Sequence, residues 1–461
     1  MQKTTERDVA YTLAEAAVSR SFRDLSSNTV EATANAFLDS LAVALAGTNA
    51  PGVPEARRAF ARWKSDSGVS VWGGFGTMPS PLAATLNAAS LHALDFDDTD
   101  DKVPLHAQSV LLPALIADLE ENRPDCDGRE FLTALAVGID GAMRVGRAGG
   151  PKGSRGWNYS VISGGMGTVL GLARLRRWSV DKTVSALGHQ LAQTAGSLQS
   201  IIDGSLAKRF QPAMMAKNAL MAVALAEAGI DGPCNVFEGR AGFFPLYQDG
   251  KFDKATLLAD LQSAGLVNDL SLKPFSSCRF THASIDVALE LNRQGVRPAD
   301  VKRMKIAVSG QAVNMVGRHF DCATAGVVDA QFSIAYTVAV ALARGAVRIA
   351  DFTIERIRDA QIGRFARENI VIEASDAVPF LSMAPVKFEV ELISGRTMQV
   401  TGEHVSGSPE KPITAGQLRD KVVDCLTYNQ SSVDPDVLVS AVKNLPEATS
   451  LREILALLGQ K

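Results

Sequence analysis

Apolar side chains in the first part of the chain, to about residue 265, recur at the three- and four-residue steps of amphipathic helices. This spacing predicts a helix over residues 28–46, and Gly47 follows as a stop. The same spacing predicts further helices near residues 130–145, 163–177 and 212–228. Pro212 would lie in the first turn of the last of these helices, and Gly229 would end it. No strong strand pattern is expected in this region.

The pattern changes after about residue 267, where apolar and polar residues begin to alternate as they do in strands. The alternation predicts strands near residues 304–308, 370–372, 388–392 and 398–400. Gly395, between the last two, is typical of a hairpin turn. Helical spacing returns at residues 284–294, at 331–344 and after about 412. The region therefore combines strands and helices.

These patterns predict a fold that is mainly α, with a smaller α+β domain. The large helical domain would comprise residues 1–266 and 412–461, because the C-terminal helices are expected to return to it. The smaller domain would comprise residues 267–411. Two domains also suit a chain of 461 residues, which is longer than one hydrophobic core usually supports.

Composition and charge exclude some classes of partner. Hydrophobic residues make up 46% of the chain and charged residues 21%, as in ordinary globular proteins. The net charge of 47 − 50 = −3 gives no basic footprint, so no nucleic-acid partner is expected. No apolar stretch approaches the length of a membrane span, so no membrane partner is expected. The N-terminal residues do not resemble a secretory signal, and a cytoplasmic location is the simplest expectation.

Motifs for metal or phosphate binding are weak. The five cysteines are at least 44 residues apart, as in 278 − 234 = 44, so no zinc-finger spacing exists and no metal is expected. Most of the cysteines are interpreted as core residues. The glycine-rich run at 164–167 lacks a preceding strand and a Walker lysine, so it predicts close helix packing rather than a phosphate site.

An acidic stretch is the first candidate for chemistry. Five carboxylates occupy the seven residues 95–101, and His106 follows them. One interpretation is a loop that holds His106 and Thr99 in a cleft, with an aspartate fixing them. The other is a solvated loop that caps a helix.

Basic residues supply two further candidates. Lys208 and Arg209 precede the proline expected to open a helix, where backbone N–H groups and the helix dipole attract anions such as carboxylates. Lys273 and His282 flank a proline-containing loop at the predicted domain boundary, and clefts between domains are common ligand sites. A lysine there could act as a general base. The alternatives are an exposed basic turn and a linker.

Several motifs in order resemble the MmgE/PrpD family, which includes 2-methylcitrate dehydratase, cis-aconitate decarboxylase and iminodisuccinate epimerase. The resemblance covers most of the chain. It rests on ALDFDDT at 93–99 with His106, Lys208-Arg209, Gly232-Pro233 with FEGRAGF at 237–243, KPFSSCRFTH at 273–282, and QFSIAY at 331–336.

The resemblance implies a large helical domain, a small α/β-sandwich-like domain and an active site in the cleft between them. It also implies a homodimer that needs no cofactor and acts on a small polycarboxylate. The positions that line the family's site fall here on Asp95, Thr99, His106, Lys208, Lys273 and Tyr336. His282 lies beside them in its motif.

This chain departs from the family pattern where histidines are frequent. Asn158 stands in the motif that often has Gly–aromatic–His, and Gln211 and Phe280 replace two other frequent histidines. An asparagine cannot exchange a proton at neutral pH, whereas a histidine can. Asn158 is therefore interpreted as a substrate-binding residue, and the neighbouring Tyr159 as a possible proton carrier.

The expected chemistry is proton abstraction next to a carboxylate. Lys208, Arg209 and Lys273 could hold the carboxylates and stabilise enolate-like charge. The candidate proton carriers are His106, Lys273, Tyr159 and Tyr336. Two carriers suffice for an epimerase of the iminodisuccinate type, which the lost histidines favour over a 2-methylcitrate-type dehydratase or a related decarboxylase. A non-catalytic carboxylate-binding protein is the third hypothesis.

Overall fold

The computed structural model describes residues 7–150 and 156–460. Contacts divide them into two compact units. Unit 1 consists of the described residues within Met1–Ala93, Asp97–Ser271 and Leu418–Lys461, and unit 2 of Leu94–Phe96 and Leu272–Gln417. A mainly helical fold with a smaller α/β part is confirmed. The exact domain boundaries given above stay a prediction.

Helices build unit 1 up to residue 258. They are α1 Val9–Ser19, α2 Ser27–Gly47, α3 Val53–Phe60, α4 Ser80–His92, α5 Gln108–Asn122, α6 Gly128–Gly149, α7 Tyr159–Leu175, α8 Val180–Gln193, α9 Gln199–Ile202, α10 Ala207–Glu227, α11 Phe243–Gln248 and α12 Lys254–Leu258. Of these, α2, α6 and α7 confirm the predicted helices at 28–46, 130–145 and 163–177. The Asn158 side chain accepts from Ser160 N at 3.1 Å, which starts α7 earlier than expected.

The glycine-rich run lies inside α7, where it packs against α6. A Cβ atom at Gly167 would overlap the Gly138 carbonyl oxygen of α6. Small residues therefore allow the two helices to approach closely, as expected, and the run is part of the helix core.

Two expectations for unit 1 are wrong. Pro212 lies within α10 rather than in its first turn, because the helix begins at Ala207, whose N–H donates to Ser205 Oγ at 3.2 Å. Short strands also occur where none was expected. They are β1 Val69–Val71, β2 Gly76–Met78, β3 Thr99–Asp100 and β4 Leu270–Ser271, paired β1–β2 and β3–β4. Strands of two or three residues are too short for alternation to reveal them.

Unit 2 contains a four-stranded sheet and helices. The helices are α13 His282–Arg293, α14 Gly310–Val316, α15 Val327–Gln331, α16 Ile334–Arg344, α17 Ile354–Ile357 and α18 Ala360–Glu368. The strands are β5 Val301–Val308, β6 Ile370–Ala374, β7 Val386–Leu392 and β8 Thr397–Gly402. Their order is β6-β5-β7-β8, with β5 and β6 parallel and the other pairs antiparallel. The predicted strands and hairpin are confirmed, and Gly395 in the turn has φ 86°.

One predicted helix in unit 2 is interrupted. The helical spacing at 331–344 corresponds to the end of α15 and the whole of α16. Ser333 separates the two, because its hydroxyl accepts from Tyr336 N at 3.1 Å and caps the start of α16. The apolar pattern continues across this break, so spacing alone could not show it.

The C-terminal helices return to unit 1, as expected. They are α19 Ala415–Tyr428, α20 Pro435–Lys443 and α21 Arg452–Leu458. Lys421 of α19 forms a buried ion pair of 2.5 Å with Asp39 of α2. Cys126, Cys278 and Cys425 are buried, in line with a core role for most cysteines. Within residues 7–150 and 156–460, no helix has the length and apolarity that crossing a membrane requires.

Candidate active site

In unit 1, the loop between α4 and α5 holds His106 in one orientation. Its Nδ1 lies 2.6 Å from the Asp98 carbonyl oxygen and 3.4 Å from Asp97 Oδ2. Because both neighbours are acceptors, Nδ1 carries a proton and Nε2 carries the lone pair. The His106 side chain is 16% exposed, so it is accessible, whereas Asp97 and Asp98, which hold it, are fully buried. This is the tautomer and the exposure that a general base or acid requires.

A second histidine, His92, lies next to His106. His92, at the end of α4, donates from Nδ1 to Asp97 Oδ2 at 2.7 Å, and its ring meets the His106 ring edge-on at 5.0 Å. The ligand atoms of His92, Asp97 and His106 lie within 4.8 Å of one another, close enough for one metal ion. Both Nδ1 atoms point to acceptors, so hydrogen bonds account for the way in which these three side chains are held. The expectation of no metal stays a prediction.

Asp98 fixes the start of α5 beneath His106. Its carboxylate accepts from Ala107 N at 3.1 Å and Gln108 N at 3.3 Å. Burial raises the pKa of Asp98 well above its ordinary value, and the charges of Asp97 and Asp39 add to this effect. Together, His92, Asp97, Asp98 and His106 form a buried acid–histidine cluster. The backbone N–H of His106 is held by Ser160 Oγ at 2.9 Å.

Thr99 is buried in β3, where it pairs with Ser271 of β4. Asp100 beside it accepts from Arg147 Nε at 2.7 Å, and Arg147 also contacts Asp269 at 2.7 Å. These ion pairs hold the segment between α4 and α5 against α6. Thr99 therefore lies seven positions before His106 in the same segment, and its predicted role in substrate binding stays a prediction.

The positions that carry amides instead of histidines form a linked pair in unit 1. Asn158 Nδ2 contacts Gln211 Oε1 at 3.5 Å, and Gln211 Nε2 donates to Ser197 O at 2.7 Å. Neither amide can transfer a proton. Tyr159 is buried, its hydroxyl donates to Gly150 O, and it accepts from Gln248 Nε2 at 2.9 Å. Burial raises the pKa of Tyr159, so its proton is held more firmly.

Lys208 and Arg209 lie in the first turn of α10 and are buried. Arg209 donates to the Pro51 carbonyl oxygen. The expectation placed both residues before the helix; the structure places them inside it, at the end where backbone N–H groups point outward. Their predicted contact with a carboxylate stays a prediction.

Lys273 and Asp95 meet within unit 2. Lys273 Nζ donates to the Asp95 carbonyl at 2.9 Å and lies 3.5 Å from its carboxylate Oδ1. Both are buried. Asp95 has φ 52°, in the left-handed region that non-glycine residues seldom occupy. Backbone in this region is a common feature of functional sites. The predicted roles of Lys273 and Asp95 in the site stay predictions.

His282 is fully buried and neutral in its setting. Arg279 donates to its Nδ1 at 3.2 Å, and Nε2 donates to Ser277 O at 3.2 Å. Burial lowers the pKa of His282 well below its usual value, and the charges of Arg279 and Lys273 lower it further. The imidazole therefore orients Arg279 rather than carrying protons. Its predicted role in substrate binding stays a prediction.

Tyr336 lies in the hydrophobic core of unit 2. Its ring packs on Phe320 at 4.8 Å, and its hydroxyl donates to the Asp351 carbonyl. Burial raises the pKa of this tyrosine. The geometry assigns the hydroxyl a structural partner, and its predicted role as a proton carrier stays a prediction.

Comparison with known proteins decides the family. Residues 11–255 match the MmgE/PrpD N-terminal domain, and residues 275–445 match the MmgE/PrpD C-terminal domain. The chain belongs to the MmgE/PrpD family. The resemblance inferred from the motifs is thereby confirmed.

Curated relatives of this MmgE/PrpD chain extend over most of its length. The cis-aconitate decarboxylase-like protein oryM of Aspergillus oryzae is 24% identical and covers 95% of this chain and 94% of its own. Cis-aconitate decarboxylase of Aspergillus terreus is 26% identical over 69% of this chain and 68% of its own. Cis-aconitate decarboxylase of Homo sapiens is 22% identical, and the match covers 94% of this chain and 91% of its own. The family and these relatives indicate an enzyme.

Sequence reasoning missed three members of the acid–histidine cluster as site residues. Asp97 and Asp98 lie in the acidic stretch 95–101 and His92 lies just before it, but the sequence did not show which carboxylate faces a histidine. The available signal was the spacing of His92 and Asp97, five residues apart across a helix end. Arg279, also missed, is buried beside His282. The dimer and a shared cleft stay predictions.

Proposed function

We propose that this MmgE/PrpD chain is a cofactor-independent lyase of small polycarboxylic acids, and that decarboxylation of a cis-aconitate-like acid is its first candidate reaction. The observation that carries the proposal is His106, whose Nδ1 is held by Asp98 O and faces Asp97 while its side chain stays accessible. The similarity to cis-aconitate decarboxylases supports the choice of substrate class.

Decarboxylation of such an acid needs one proton delivered to carbon. The C–C bond to a carboxylate breaks, CO₂ leaves, and the electron pair remains on the substrate as a carbanion delocalised toward a neighbouring carboxylate. Protonated His106 then gives its Nε2 proton to that carbon. The Asp97 carboxylate stabilises the imidazolium before the transfer, and proton transfer of this kind contributes roughly 10²–10⁴-fold to the rate.

Cationic side chains of the chain would bind the carboxylates. Lys208 and Arg209 in unit 1 are candidates, as are Lys273 and Arg279 in unit 2. Buried or partly buried cations stabilise developing negative charge more strongly than exposed ones, because water screens them less. The small net charge of the chain, −3, does not oppose a local anion site.

An epimerase remains the second candidate, and one observation weighs against ranking it first. Epimerisation needs two proton carriers, whereas decarboxylation needs one. Of the four predicted carriers, Tyr159 and Tyr336 donate their hydroxyl protons to backbone carbonyls. Epimerisation would therefore depend on both His106 and Lys273.

The test is turnover in D₂O, followed by NMR, with cis-aconitate, 2-methylcitrate, citrate and iminodisuccinate offered separately in the presence of a chelator. CO₂ release with one deuterium in the product supports the decarboxylase. Alkene formation from a hydroxy acid points to the dehydratase, and deuterium entry with inversion points to the epimerase. Binding without exchange or turnover of any acid would contradict an enzyme and favour a carboxylate-binding protein.

A further inference from the structure

A buried ion pair joins the C-terminal segment to α2. Lys421 Nζ lies 2.5 Å from Asp39 Oδ1, and the two side chains are 3% and 0% exposed. Burying two charges carries a desolvation cost that their attraction offsets only in good geometry, so stability alone is a weak reason for such a pair. Its surroundings suggest another role.

Asp39 lies one helical turn from the point where α2 meets the start of α5. Gln108 Nε2 donates to Ala36 O of α2 at 2.7 Å. The backbone N–H of Gln108 donates to the Asp98 carboxylate at 3.3 Å, and the Asp98 carbonyl accepts from His106 Nδ1 at 2.6 Å. Hydrogen bonds thus connect the helix that carries Asp39 to the loop that carries His106.

The charge of Asp39 acts on a residue of that loop, Asp98. After burial and the charge of Asp97, the charge of Asp39 is the next largest cause of the raised pKa of Asp98. The ammonium group of Lys421 lies beside the Asp39 carboxylate. Removing either partner would therefore leave an uncompensated charge close to the acid–histidine cluster, in an interior where water screens it poorly.

We propose that Lys421 is a positioning residue for His106, acting through Asp39. Its ammonium group neutralises Asp39 and thereby sets the electrostatic field in which the His106 imidazole gains and loses its proton. The inference rests on the proposed function, in which His106 carries the proton. It makes the C-terminal segment, more than 300 residues from His106 in sequence, a part of the catalytic unit.

The titratable groups around this path are few among the described residues. Asp97 and Asp98 face His106 from its own loop, and His92 faces it from α4. Ser160 of α7 contacts its backbone and is uncharged. Cys425 is near both members of the ion pair and near Asp424, and burial raises the pKa of Cys425, so this thiol stays neutral.

The experiment follows the His106 imidazole by NMR in the full chain, labelled with ¹³C at histidine; the signal is assigned by its loss in His106→Gln. In Lys421→Met the unneutralised Asp39 favours the imidazolium, so the titration midpoint should rise by about half a pH unit or more. In Asp39→Asn the remaining cation should lower it. The double variant, which lacks both charges, should return to the wild-type midpoint.

Opposite shifts separate a field effect from structural damage, which has no reason to change sign. Lys421→Arg keeps the charge and should keep the wild-type midpoint. Lys443→Met, an exposed lysine of α20, is the matched control. Unchanged midpoints in both single variants, with native circular dichroism, would overturn the proposal; if Lys421→Met fails to fold, Asp39→Asn and the double variant decide. The titration needs no substrate. If the midpoints shift as expected but the chain turns over no acid, the role of Lys421 stands and the proposed function is contradicted.

Discussion

At the scale of single residues, the neighbours of His106 hold its imidazole in the form that the proposed proton transfer needs. Asp98 O and Asp97 Oδ2 both accept from Nδ1, so the lone pair is on Nε2. We expect His106→Asn to lower kcat by roughly 10²–10⁴-fold with little change in KM, because proton transfer is lost while the carboxylate-binding cations remain. Steady-state turnover of the acid identified in D₂O measures this. His404→Asn, on an exposed histidine, is the control, and equal kcat values for the two variants would contradict the assignment.

Asp97 belongs to the same residue-scale argument. It contacts two imidazoles, His92 at 2.7 Å and His106 at 3.4 Å, and a nearby negative charge favours the protonated form of His106. Asp97→Asn removes that charge at nearly constant shape. The apparent pKa of His106 in the pH–rate profile should therefore decrease, and kcat should fall. A pH profile of kcat/KM measures the shift, with Asp66→Asn, an exposed aspartate, as control. A profile that falls in height without moving would assign Asp97 a purely structural role.

At the scale of elements, close packing of α6 and α7 gives a stability prediction. A Cβ at Gly167 would overlap the Gly138 carbonyl, so Gly167→Ala should lower the free energy of unfolding by about 1–3 kcal/mol. Gly416→Ala, in the first turn of α19 with no atom closer than 3.8 Å to its Cβ, should be neutral or raise it by about 0.5–1 kcal/mol. Urea denaturation of both variants measures the difference. Equal changes in the two variants would contradict the close packing at Gly167 as the cause.

Elements were predictable from the sequence where their patterns are long. The alternation in β5 and β7 and the apolar spacing of α2 and α7 each extend over enough residues to show a period. The short strands of unit 1 are not visible in this way. The break at Ser333 and the start of α10 were missed because capping hydrogen bonds set them, and apolar spacing does not record such bonds.

At the scale of the whole molecule, the motifs pointed to His106 and Lys273 but did not show which residues these two side chains contact. The role of each residue depends on contacts across long stretches of chain, such as Lys273 with Asp95, 178 residues apart. Tyr336 illustrates the opposite case, since its position in a motif did not show that its hydroxyl is engaged by Asp351 in a hydrophobic core. Partners of this kind become visible only when the fold brings distant segments together.

Stability of the whole chain should depend on pH through His282. Burial lowers its folded pKa well below 6.5, so the folded state binds fewer protons than the unfolded state. The stability that neutral His282 supports is complete above the pKa of histidine in the unfolded chain. It is lost as pH falls below that pKa, at up to about 1.4 kcal/mol per pH unit.

Asp98, whose pKa is raised, changes stability with pH in the opposite direction, so wild type must be compared with a variant. We expect urea-unfolding free energies of His282→Gln to fall less between pH 6.5 and 5.5 than those of wild type. Parallel pH dependences in the two proteins would mean that His282 is protonated in the fold, and that Arg279 is not oriented by a neutral ring.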